Sequence, residues 1–187
     1  MKAYFSFLGV GLVLGLYTEV QLKLVAGIKP KGFIVVLFAY PLFLTFFYAT
    51  SRIINRLVAS SWKADVVHYL VVGAIGLAIE WTWLGNGPGS NAWQLGMWAM
   101  WTTWGFGPRV LTRDSGVLVQ GRKRFWSAFI TVAILLSATV LIVTNPKFKL
   151  VVSVTALSAS YLVWSVWLLI LGWRSRHGRN MQLETSA

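Results

Sequence analysis

Six long apolar stretches alternate along the chain with short polar, proline- and glycine-containing ones. A helix crossing the ~30 Å hydrocarbon core of a bilayer needs ~20 mostly apolar residues, and the stretches at about 3–27, 33–57, 65–85, 92–107, 125–144 and 150–173 meet or approach that length. Their ends are marked by Lys29-Pro30-Lys31-Gly32, by Asn86-Gly87-Pro88-Gly89-Ser90-Asn91, by Gly107-Pro108-Arg109 and by Asn145-Pro146, all strong turn or stop signals. Pro41 interrupts the second stretch, and the fourth is the shortest. The pattern predicts an all-α integral membrane protein, a single transmembrane domain of about six helices over residues 1–187. A basic loop covers 108–124 and a polar tail 174–187. Within the loop, Asp114-Ser115-Gly116 followed by Val117-Leu118-Val119-Gln120-Gly121 predicts an interfacial hairpin or short strand pair. The first stretch imitates a secretory signal, with Val25-Ala26-Gly27 as a cleavage site. Its length and its Glu19 and Lys23 point instead to a retained helix.

Composition supports this class: 57% of the 187 residues are apolar and the net charge is +12, with a mean hydropathy of +0.66. The absence of cysteine excludes disulfides, thiolate metal sites and cysteine nucleophiles. The basic residues flank the apolar stretches and form no continuous basic face, so they speak for membrane orientation and anionic headgroups rather than nucleic acid. With the N-terminus inside, twelve lysines and arginines fall on the inner side and four (Lys29, Lys31, Lys147, Lys149) on the outer, with Lys23 within a helix. The positive-inside rule therefore predicts both ends in the cytoplasm, and six spans satisfy that requirement. The expected location is the cytoplasmic (inner) membrane of a bacterium, as a multi-pass protein. Its expected partners are the bilayer, anionic headgroups at the inner loop, and another membrane protein or a second copy of the chain.

Ionisable groups within a bilayer are costly and are functional candidates by default. Glu19 and Glu80 are the two carboxylates inside the apolar stretches, at similar depth in the outer third. At about 100° per residue, Glu80 shares a face with Tyr69, Gly73, Gly76 and Trp83, and the small residues admit a close neighbouring helix. Glu19 shares a face with Leu8, Leu12 and Gly15, and an ion pair with Lys23 one turn on is its plainest role.

Eleven tryptophans are the second unusual feature. Trp81, Trp83 and Trp93 fit an outer interfacial belt, and Trp62, Trp126 and Trp173 an inner one. Trp98 lies too deep for a belt, and Gln94, Trp98, Trp101 and Gly105 form one face of the fourth helix. Beside Glu80, a glutamine and stacked indoles make a pocket for a cation or a flat ring. His68 is expected at the inner interface and His177 in the solvated tail. Two distant histidines do not provide a haem or zinc site, and no metal or cofactor is expected. Phosphate-binding glycine loops and serine–histidine arrangements are missing as well.

These residues predict a protein that binds or transports a small cationic or aromatic ligand through a pocket of Glu80, Trp83, Gln94, Trp98, Trp101, Tyr69 and Glu19. In size and span count the chain is similar to the substrate-binding membrane subunits of vitamin importers. Two alternatives remain. One is a membrane-embedded lipid or isoprenoid enzyme with Glu80 as general acid, along the lines of small membrane terpene cyclases. The other is a non-catalytic subunit of a larger membrane complex.

Overall fold

The computed structural model describes residues 1–25, 27, 33–85, 87, 91–113 and 116–184. The secondary structure of these residues is helical, and no strand occurs among them. Helix α1 (Lys2–Glu19) runs directly into a π-helical segment, Val20–Val25. It is followed by α2 (Phe33–Leu57), α3 (Ser61–Thr82), α4 (Asn91–Leu111), α5 (Gly116–Ile142) and α6 (Pro146–Glu184). Among the described residues, four helical stretches are long and apolar enough to cross a membrane: Lys2–Leu22, Trp62–Thr82, Leu118–Ile142 and Pro146–Arg176.

The pairs α1–α2, α3–α4 and α5–α6 run antiparallel. Phe7 meets Tyr48 at 5.3 Å between ring centroids, while Gly15, two turns later, faces Tyr40. Asp65 binds Arg109 at one end of the α3–α4 pair, and Trp81 binds Gln94 at the other. Phe125–Trp167 and Phe129–Trp164 ring contacts align α5 with α6 in the same sense.

Helix α4 is the axle of the bundle, packed against α1, α2, α3 and α6. Every residue from 101 to 111 is buried, so this half of the helix is enclosed on all sides, whereas Leu95 in the first half is exposed. Its 21 residues extend over about 31 Å at 1.5 Å per residue. Its tryptophans, threonines and Gln94 lower its apolar character below that of the four stretches named above. The neighbouring helices supply the surroundings that lipid would otherwise provide.

The helices extend further than the sequence pattern predicts. Helix α4 continues through Gly107-Pro108 to Leu111, and α5 begins at Gly116. The expected hairpin over 117–121 is therefore replaced by helix. Leu118, Phe125 and Phe129 recur at helical spacing and are all buried, whereas Val119 and Gln120 are exposed. Packing against α6 selects the 3.6-residue period over the local Val-Leu-Val alternation. Pro108 sits in the last turn of α4, where the hydrogen bond it removes is one of few still to be made, and Thr112 Oγ1 and the Thr112 amide both bind its carbonyl. Pro41 is likewise carried within α2, and α6 runs on through most of the expected polar tail.

At one end of the bundle, Asp65 ties four helices together. Its side chain is 3% exposed and receives Arg109 Nε at 2.8 Å, Arg113 Nη2 at 2.8 Å and Arg176 Nε at 3.3 Å. Arg109 also reaches α2, donating to Ser51 Oγ at 2.8 Å and Asn55 Oδ1 at 2.6 Å. Arg113 donates to Ser175 Oγ of α6 at 2.7 Å, and Arg122 caps α4 through the Leu111 carbonyl at 3.2 Å. Burial draws the Arg113 guanidinium down to about 10, against the opposing pull of Asp65, and leaves it cationic at neutral pH. One turn inward, His68 is 0% exposed with Nε2 at 3.2 Å from the Phe47 carbonyl. The expectation of an interfacial His68 is thus replaced by a place inside the bundle, where the α2 backbone gives the ring a partner.

Removing one member of a buried ion cluster strands the others in a low-dielectric setting. Asp65→Asn is expected to lower the unfolding free energy by about 3–5 kcal/mol, read from denaturant titration of the purified protein in detergent. An unchanged midpoint overturns the role assigned to Asp65.

Candidate functional site

The opposite end of the bundle is built on two glycines. Gly73 and Gly76 share a face of α3, and a Cβ at either would collide with the indole of Trp98 or Trp101. Without side chains there, two bulky rings of α4 lie directly on the α3 backbone. Tyr69, one turn before Gly73, meets Trp98 edge-on at 4.9 Å and donates to Ser165 Oγ of α6 at 3.2 Å. Close packing over Gly76 aims Trp101 along the helix so that its Nε1 donates to Glu80 Oε1 at 2.9 Å. Glu80 is 4% exposed and Trp101 2%.

The second carboxylate is held in a matching way. Tyr40 of α2 donates its hydroxyl to Glu19 Oε1 at 2.6 Å, and its ring packs on Trp104 at 4.9 Å between centroids. Trp104 in turn neighbours Trp101 at 5.1 Å, so the two acid–aromatic pairs meet across adjacent indoles of α4. Trp104 Nε1 also donates to the Tyr161 hydroxyl at 3.2 Å, which donates to the Leu14 carbonyl at 2.9 Å and shares a 2.6 Å hydrogen bond with Thr18. Each carboxylate thus faces a donor on an aromatic side chain, the arrangement that lets an acid persist away from water.

Beside these aromatic partners lies a cavity of about 10 Å³ lined by Gly11, Tyr40, Phe43, Leu44, Phe47, Trp101 and Trp104, so that of the residues expected to form a pocket Trp101 lines it and both carboxylates stand outside the lining. That volume matches a single water-sized guest. Its walls are almost entirely apolar, and five of the seven lining residues are aromatic. Phe43 is the half-buried member, at 5.5 Å from Trp101 and 6.3 Å from Trp83.

The residues expected to form a pocket are therefore distributed. Glu80, Trp101, Trp98 and Tyr69 come together on the α3–α4 seam. Glu19 joins from the α1–α2 side through Tyr40. Trp83 is 76% exposed and meets the group through Phe43. Gln94 serves the turn, accepting from Trp81 Nε1 at 2.7 Å and donating to the Gly87 carbonyl at 3.1 Å. The expected Glu19–Lys23 ion pair lies outside the described residues, because the Lys23 side chain is not among them.

Sequence reasoning passed over Tyr40, Tyr161 and Thr18, which with Trp104 link the two acids. It also passed over Gln21, which sits in the π-helical segment and donates to Ser137 Oγ of α5 at 2.6 Å. The available signal was the polar triplet Thr18, Glu19 and Gln21 within one apolar stretch. Comparison with protein families, with curated proteins and with solved structures finds no match.

Gly76→Val is expected to displace Trp101 and cost about 1–3 kcal/mol through overpacking, seen as a lowered unfolding midpoint with a red-shifted tryptophan emission. Gly9→Ala is the control, since nothing lies within 4 Å of a Cβ there. Equal behaviour of the two variants overturns the close α3–α4 approach.

Proposed function

We propose that the chain is a six-span protein of a bacterial cytoplasmic membrane, with both ends inside, that binds or transports a small cationic or aromatic ligand at the Glu80–Glu19 centre. The four apolar helices are the first support for the membrane reading. Helix α4 fits as a further span because Trp101, Thr102, Thr103 and Trp104, in its second half, are enclosed by neighbours. Helix α2 fits by length, its 25 residues extending over about 37 Å. The twelve-to-four distribution of basic residues supports the orientation.

One observation carries the ligand reading: the wall of an aromatic-lined cavity contains the two side chains that bind the carboxylates, Trp101 for Glu80 and Tyr40 for Glu19, each acid standing behind its ring rather than in the lining. Ring faces and carboxylates together favour a cation, because the quadrupole of each ring adds to the attraction of the acids. The cavity as it stands accommodates a compact guest, and a larger one requires Phe43 to turn outward. The same pair of acids is what favours the enzyme alternative, with Glu80 as general acid toward an isoprenoid and the indole faces stabilising developing positive charge.

A thermal-shift screen of small ammonium compounds, aromatic metabolites and isoprenoid lipids on the purified protein separates these readings. Stabilisation by an ammonium compound, lost by about tenfold in affinity in Glu80→Gln, as expected for one charge-assisted contact, is the expected result. Turnover of an isoprenoid that Glu80→Gln abolishes favours the enzyme. If Glu80→Gln and Glu19→Gln leave every response unchanged, both readings fall. Orientation has its own test, made clean by the absence of cysteine: in intact cells an impermeant maleimide is expected to label Lys147→Cys and to reach Arg124→Cys only after lysis. The reverse pattern overturns the orientation.

A further inference from the structure

The Asp65 cluster carries more cation than its carboxylate can neutralise. Three guanidiniums converge on one acid. Among the described side chains no other carboxylate joins them, and Glu19 and Glu80 bind aromatic donors elsewhere in the bundle. The two Asp65 oxygens offer about four lone-pair positions, yet five donor contacts fall on them. Arg109 is fully committed, to Asp65, Ser51 and Asn55. Arg113 is held by Asp65 and Ser175. Arg176 is the surplus member: its contacts to Asp65 are the longest, 3.3 and 3.5 Å, and its side chain is the most open, at 23% exposed. An excess of buried positive charge is costly unless an anion meets it.

The depth of this surplus charge indicates the source of that anion. Arg176 closes the apolar stretch Pro146–Arg176, and Trp62 opens the stretch Trp62–Thr82, one turn before Asp65. Both stretches thus end at the level of the cluster. Two exposed tryptophans, Trp62 and Trp173, stand at that same level, where indoles settle against lipid headgroups. Lys63 lies over the Trp62 ring at 6.0 Å and adds charge there.

We propose that Arg176, backed by Arg113, seats the phosphate of an anionic lipid headgroup at the mouth of the Asp65 cluster. The guanidinium fork of Arg176 is suited to two phosphate oxygens, and the lipid completes the charge balance that Asp65 leaves open. The inference rests on the membrane reading above and is separable from it. Cysteine labelling tests that reading, and a lipid response that fails while the labelling pattern holds overturns only the lipid site.

The test uses the full chain in detergent, with short-chain phosphatidylglycerol, short-chain phosphatidylcholine and inorganic phosphate as probes and the unfolding midpoint as readout. Phosphatidylglycerol is expected to raise the midpoint, and phosphatidylcholine to have no such effect. Arg176→Gln is expected to weaken the phosphatidylglycerol response about tenfold, the loss of one charge-assisted contact, with Arg176→Lys restoring part of it. Lys123→Gln, an exposed cation outside the cluster, is expected to respond like the parent. Equal losses in Lys123→Gln and Arg176→Gln mean diffuse surface charge and overturn the site. An equal shift with inorganic phosphate overturns the lipid as its occupant. Should Arg176→Gln fail to fold, Arg176→Lys alone decides: a response unchanged from the parent overturns the bidentate seat.

Discussion

Asp65 is buried among helices and meets three arginines there: Arg109 of α4, Arg113 just past its end and Arg176 of α6. Their convergence places the start of α3 against the end of α4 and the far part of α6, and through Arg109 it reaches the last turns of α2. The net energy of such a cluster is modest, because desolvation offsets much of the attraction. Its specificity is not modest. A slip of any one helix by a turn would strand a charge, so the cluster sets the register in which the apolar faces meet.

With that end fixed, the other follows from volume. Gly73 and Gly76 remove side chains where Trp98 and Trp101 arrive, and the rings fill the space between α3 and α4. The indole nitrogens of Trp101 and its neighbour Trp104 then need acceptors, and Glu80 and the Tyr161 hydroxyl supply them. Packing and polarity are solved by the same residues: the rings that fill the core also carry the donors that hold the acids. The outcome is a bundle with arginine-rich chemistry at one end and acid–aromatic chemistry at the other, joined by helix α4.

Much of the candidate centre was legible in the chain. The spacing of Tyr69, Gly73, Gly76 and Glu80 identifies one helix face, and the tryptophans three residues apart on α4 identify its complement. The links to Glu19 were not legible, because Tyr40, Trp104 and Tyr161 are separated by tens of residues and look like ordinary aromatic residues of apolar stretches. The Asp65 cluster was hidden for a similar reason. Its arginines read as loop and tail charges that orient a membrane protein, and nothing local distinguishes Arg176 from Arg174.

The sequence by itself determined an all-helical chain with apolar segments of spanning length, two carboxylates within those segments and the uneven distribution of basic residues, since these follow from composition and period alone. Only the tertiary structure decided that 116–124 is helix, that His68 is enclosed, and that α4 lies at the centre. Each of those depends on a neighbour far away in the chain. Leu118 and Phe125 become core through α6, His68 finds its partner on α2, and Trp101 finds its place over a glycine of α3. Local pattern records what a residue prefers, whereas contact across the bundle determines which preference is met.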